Sequence, residues 1–162
     1  MTQNFTISVG QIDRTIAIMR EVAQWCIDTG KETWKLEELT HQKLMNGLTE
    51  DNFYLGKMNG DDACCMILQW YDPLFWPDLM EFEAGYIHKL CVKREFAGLR
   101  LSENMVESAV KECHKRNVPY LRLDTGLHKK VLCNLYESLG FTKVGETTNY
   151  RGEFALYETK IF

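Results

Sequence analysis

Apolar positions change period several times along the chain, and each change marks an element. In FTISVG, Phe5 and Ile7 alternate with polar residues before Gly10, which reads as a short strand. Ile12, Ile16, Met19, Ala23 and Ile27 then recur at steps of three or four, one helical stripe that stops at Gly30. Leu36, Leu39 and Leu44 predict a shorter helix ending near Gly47. NFYLGKM and ACCMILQW are strand-like runs joined by NGDD, and Asn-Gly between such runs predicts an antiparallel hairpin. A Pro- and aromatic-rich loop over 71–84 leads into the strand GYIHKLCV. Leu101, Met105, Ala109 and Cys113 form the stripe of a long helix predicted from Gly98 to Arg116. YLRLDT is a strand, 131–139 a helix, and GFTKVGETTNY and FALYETKIF are the last strands.

The order is strand, two helices, three strands, helix, strand, helix, two strands. No linker or repeat divides it, so one mixed α/β domain is expected over 1–162. The unit at 85–124 predicts a right-handed parallel crossover, which makes the sheet mixed.

Composition narrows the function classes. Of 162 residues, 45% are hydrophobic and 26% charged, the balance of a soluble globular chain. A net charge of −4 without a block of like charges argues against a nucleic-acid surface. No apolar run approaches the roughly 18–20 residues of a membrane span. The first ten residues lack the basic start and apolar stretch of an export signal, so a cytoplasmic protein is expected. The six cysteines include no CxxC, and Cys113-His114 has no partners at zinc spacing; free buried thiols and no metal are expected.

Two stretches carry chemistry. In REFAGLRLSENMVESAV (94–110) a strand gives way to a loop and then a helix. The first amides of a helix have no internal acceptor, and with the helix dipole they attract phosphate. Gly98 is the only glycine there; Arg100 adds positive charge and Ser102 a hydroxyl. The alternative is an ordinary strand-to-helix turn. In LRLDTGLHKKVLCNLYESLGF (121–141), Leu132 and Tyr136 share a helix face, where a tyrosine is usually a core residue with a satisfied hydroxyl.

Taken together, these stretches resemble the GNAT superfamily of N-acetyltransferases. The likeness covers most of 53–159 and is best over 86–141. It rests on Leu90-Cys91-Val92 ending a strand, on the loop Phe96-Ala97-Gly98-Leu99-Arg100-Leu101-Ser102, on Leu121–Asp124, and on Leu135–Phe141. The loop departs from the family pattern at Ala97, Arg100 and Ser102, and the family's asparagine after the Leu-x-Leu-Asp strand falls at Lys129.

The resemblance implies an acyl-CoA N-acyltransferase fold, with a central, mostly antiparallel mixed sheet flanked by helices. It also implies acetyl transfer from acetyl-CoA to a primary amine. Backbone N–H groups of Leu90–Val92 would serve the oxyanion, Phe96–Ser102 with Lys129 and Leu132 the cofactor, and Tyr136 the departing thiolate. The amine must lose a proton before it attacks. His88, on the strand face expected for Leu90 and Val92, is either that base or a core histidine. Glu81, Glu83 and Asp124 either hold a cationic amine or are solvated loop and turn residues. Tyr71, Phe75, Trp76 and Phe82 either wall the acceptor or cover the sheet. The other function class is a binding or regulatory module with lost catalysis, which the altered loop favours. The terminal strands 141–161 offer an edge for a homodimer.

Overall fold

The stripe that begins at Ile12 forms helix α1 (Ile12–Asp28), and all of its predicted core positions except the half-exposed Ile27 are buried. The computed structural model describes residues 2–77 and 83–162 and divides into two units. The first takes the chain up to Ile67 together with Lys89–Met105; the second takes Leu68–His88 and Val106–Phe162. The predicted Glu81 and Phe82 lie outside the described residues.

In the first unit, β1 (Phe5–Val9) runs antiparallel to β2 (Phe53–Met58), which runs antiparallel to β3 (Asp61–Gln69). Asn59 and Gly60 join the hairpin with φ of 52° and 89°. Two successive positive φ values are what a type I′ turn requires, so Asn-Gly specified this register from sequence. Ile12, Ile16, Met19 and Ala23 pack on Phe53, Leu55, Cys65, Ile67 and Cys91, with Leu39 beneath them. Burial of each such side chain contributes about 1.5–3 kcal/mol.

The second predicted helix is broken. A 3-10 turn at Leu36–Glu38 is followed by a four-residue helix, α2 (His41–Leu44). Thr40 separates them with extended φ and ψ, and its side chain accepts from the amide of Lys43. A threonine capping a new helix cannot also continue the old one, and this local bond overrides the leucine spacing.

Strand β4 (Ala84–Val92) crosses from the second unit into the first at Lys89. In the second unit it pairs in parallel with β5 (Tyr120–Gly126), which pairs antiparallel with β7 (Gly152–Lys160), itself antiparallel to β6 (Thr142–Asn149). The hydrogen-bonded order is β1-β2-β3-β4-β5-β7-β6, so the sheet is mixed and mostly antiparallel. Leu101–Lys115 forms α3 and Lys130–Ser138 forms α4. Helix α3 starts three residues later than predicted because Gly98 and Arg100 both have positive φ, which an α-helix does not admit. No helix among the described residues is long and apolar enough to cross a membrane.

Two irregularities position the site. Parallel pairing of β4 with β5 runs only from Ala84↔Tyr120 to Ile87↔Leu123, so His88 and Asp124 are the first residues past the last registered pair. Immediately afterwards Lys89 has φ 54°, a left-handed conformation inside a strand. That residue interrupts the period of two, so the expected alternation of His88, Leu90 and Val92 on one face does not hold.

Candidate functional site

The loop between β4 and α3 lies in the first unit. After β4, Arg94–Phe96 makes one 3-10 turn, and the amides of Phe96 and Ala97 are spent on Lys93 and Arg94 carbonyls. The next amide engaged is that of Asn104, which donates to Arg100 O at 3.3 Å. Among the described residues, no acceptor takes the amides from Gly98 to Glu103. Six consecutive amides without an acceptor at a helix start are donors of the kind that can bind an anion. Gly98, at φ 85°, is in a conformation that only glycine adopts without cost, and it turns the chain ahead of the helix.

Arg100 occupies a second left-handed position, φ 59°. Its guanidinium holds Glu103 through two contacts, Nη2 to Oε1 at 2.9 Å and Nε to Oε2 at 2.6 Å. The side chain is 79% exposed, so it stands over solvent rather than across the amides. Arg94 stacks 4.3 Å from the Trp25 ring centroid and ties the start of the loop to α1.

In the second unit a histidine lies between two acids. His88 Nε2 lies 3.0 Å from Asp72 Oδ2, a hydrogen bond, and His88 Nδ1 lies 3.7 Å from Asp124 Oδ1. Asp72 is a buried carboxylate in the aromatic loop, and its carbonyl accepts the Trp76 amide at 3.0 Å, which closes a turn. Phe75 packs against His88 at 6.1 Å and edge-on to Phe154 at 5.0 Å. These three acidic and imidazole side chains are close enough to be weighed as a metal site. The two carboxylates lie nearest to different ring nitrogens. One ligand atom from each of the three residues lies within 4.8 Å of the other two.

Beside this cluster sits Arg122, a buried arginine that sequence patterning did not single out. Its Nε bonds Glu158 at 2.7 Å, and its Nη1 bonds the Tyr86 hydroxyl at 3.2 Å and lies 3.7 Å from Glu83. The rings of Trp76 and Tyr120 lie 4.9 and 5.0 Å from the guanidinium carbon. Burial works against the charge, but the bonds to Glu158 and Tyr86 outweigh it and hold the guanidinium pKa above its usual value. Burial likewise raises the Tyr86 hydroxyl, against the opposing pull of Arg122.

The structure therefore sorts the predicted residues. His88 and Asp124 come together, with Phe75 beside them. Trp76 and Glu83 are engaged with Arg122 instead of an open wall, and Tyr71 is exposed. Tyr136 is buried on α4 against Phe141 and Tyr157. Tyr157 alternates with Leu156, which is opposite Asp124, so Tyr136 and the His88 cluster serve opposite sheet faces. Lys129 begins α4 with its amide on Gly126 O, and Leu132 is half-buried on the same helix. Leu90 and Val92 are half-buried and Cys91 is buried, 3.6 Å from the Cys65 sulfur. Sequence reasoning missed Asp72 and Arg122. Each had a signal: Asp72 is an acid inside an aromatic run, and Arg122 interrupts the leucines of YLRLDT.

With this geometry in place, comparison with known proteins is informative. The model of the acetyltransferase (GNAT) family matches residues 19–141. The chain is 24% identical over 135 residues to YesJ of Bacillus subtilis, an uncharacterised N-acetyltransferase; the match covers 79% of this chain and 74% of YesJ. A GNAT-family acetyltransferase of Listeria monocytogenes superposes with a TM-score of 0.74 at 24% identity, covering 99% of this chain and 98% of that one. The PaiA N-acetyltransferase of Thermoplasma acidophilum, solved with coenzyme A, superposes with a TM-score of 0.71 at 16% identity, covering 99% of each chain. Both structural likenesses establish the fold.

Proposed function

The chain belongs to the acetyltransferase (GNAT) family, and from that premise we propose that it moves an acetyl group from acetyl-CoA to a primary amine of a small molecule or protein. The observation that carries the reading is the run of six unaccepted amides from Gly98 to Glu103 at the start of α3. A pyrophosphate needs several converging donors, and this run offers them without spending a charged side chain. The coenzyme A held by the PaiA relative supports the same ligand class.

Acetyl-CoA supplies the acetyl group as an activated thioester. The chain's own groups do the rest. In the first unit, the amides of Gly98–Glu103, which overlap the Phe96–Ser102 loop, hold the pyrophosphate, and the backbone N–H groups of Leu90–Val92 donate to the carbonyl oxygen as it gains charge. In the second unit, Asp124 holds the acceptor's ammonium and His88 takes its proton, leaving a neutral nitrogen able to attack. Lys129 and Leu132 contact the cofactor, and Tyr136, on the sheet face away from His88, returns a proton to the sulfur as it departs on that side, while the amine meets His88 on the other. Trp76 and Glu83, bound up with Arg122, frame the amine site from behind.

Titration calorimetry with acetyl-CoA, followed by CoA thiol release against a panel of primary amines, tests the proposal. Binding with turnover of at least one amine is expected; no heat at millimolar acetyl-CoA would end it. Tyr136→Phe is expected to lower kcat about 10²-fold with CoA affinity unchanged, the size of a lost general acid. The contacts of Glu103 with Arg100, which place a carboxylate beside the loop, favour the second reading of a module that binds CoA without turnover.

A further inference from the structure

We propose that Asp72 is the positioning residue of the proton-accepting histidine: it fixes the His88 ring so that Nδ1, beside Asp124, is the basic atom that takes the proton of the acceptor's ammonium. This rests on the acetyl-transfer reading and deepens it. A carboxylate only accepts hydrogen bonds, so the 3.0 Å contact of Asp72 Oδ2 with Nε2 requires the ring proton to sit on Nε2. In a neutral imidazole the other nitrogen is then the base, because the bond made by one ring nitrogen sets the role of the other. That nitrogen, Nδ1, is 3.7 Å from Asp124 Oδ1, too far for a direct hydrogen bond. Asp124 Oδ1 is fully buried beside the ring, so the carboxylate favours a cation at Nδ1 through its charge, and the N–H directed at Nδ1 is the one transferred. The proton moves from the ammonium to Nδ1, which leaves a neutral amine and an imidazolium hydrogen-bonded to Asp72.

The fold supports a positioning role. Asp72 is only 5% exposed, which favours one fixed geometry over a solvated one. Its carbonyl closes the turn to Trp76, so the carboxylate is seated by backbone as well as by His88. Phe75, from the same turn, packs beside the imidazole and limits its rotation. Asp72 from the loop and Asp124 from β5 are both placed against His88.

Two measurements test this, and one does not depend on turnover. The tautomer of His88 is read from two-bond nitrogen–proton correlations over a pH series carried up to the neutral ring, with the signal assigned by its loss in His88→Gln. The wild-type ring is expected to carry its proton on Nε2, and Asp72→Ala to show a mixed or reversed population. A wild-type ring protonated on Nδ1, or a tautomer unchanged in a folded Asp72→Ala, would overturn the proposal. If Asp72→Ala fails to fold, the wild-type spectrum alone still decides. In parallel, CoA release is measured with ethanolamine, 1,4-diaminobutane and an alanyl peptide. Asp72→Ala is expected to lower kcat about 10²-fold with KM within about twofold, and Asp72→Glu to recover part of it. Equal loss in both variants through KM alone would also overturn it. Absence of wild-type turnover with every amine, alongside the expected tautomer, would sink the acetyl-transfer reading and leave the Asp72–His88 geometry standing.

Discussion

Arg100 shows how much one side chain's direction matters. A non-glycine residue at φ 59° costs on the order of 1 kcal/mol, and the exposed pairing with Glu103 offsets only a few tenths of that. Because the guanidinium is turned to Glu103 and not across the amides, Arg100→Gly is expected to leave CoA affinity within about threefold. Calorimetry checks this: a tenfold loss identifies Arg100 as a phosphate ligand, and a tenfold gain identifies it as an obstruction. Arg122 is the opposite case, a buried cation whose partners depend on it. Arg122→Met leaves Glu158 and Glu83 without their cation and is expected to destabilise the fold by about 3 kcal/mol, read as a lower urea midpoint. Adding Glu158→Gln should return part of the loss; full additivity of the two changes would contradict the pairing.

At the scale of elements, legibility followed the strength of local signals. Helix α1 and the Asn59-Gly60 hairpin were readable because period and turn chemistry agree there. The region after Leu36 was not, since Thr40 spends its hydroxyl on a cap that leucine spacing does not reveal. Nor was the irregularity at Lys89, where a charged residue stands at positive φ inside an otherwise regular strand. That single dihedral decides which residues follow His88 on its face, so the site's layout was less legible than the fold. Asp72 stayed hidden for a related reason: its partner His88 lies sixteen residues away and meets it only after the aromatic loop folds back.

The elements also set a pH dependence. Burial pushes the Cys113 thiol of α3 up to about 11 and the Cys64 thiol of β3 up to about 12. In the unfolded chain both titrate near ~8.5. Above that pH the unfolded chain sheds protons that the native chain keeps, so raising the pH favours unfolding. The stabilisation is complete below about 8.5 and is lost as pH rises through 11 to 12. The urea midpoint is expected to be level from pH 7 to 8 and to fall by pH 10.5, with native thiols slow to react with Ellman's reagent at pH 8. A level midpoint throughout would show that these thiols ionise in place.

For the molecule as a whole, a chain of net charge −4 is read as binding a polyanionic cofactor. That requires local dipoles to outweigh the global charge, which oriented amides at a helix start can do at short range. Two compact units share strands β3 and β4; the unaccepted amides lie in the first and the acid–imidazole–acid cluster in the second. The proposed pyrophosphate receptor is the run of amides Gly98–Glu103. It is tested by following backbone amide resonances of the folded protein while acetyl-CoA, and separately inorganic pyrophosphate, is added. The amide protons of Gly98–Glu103 are expected to show the largest downfield shifts with both ligands. Saturating acetyl-CoA that moves other resonances and leaves those six in place would rule the receptor out.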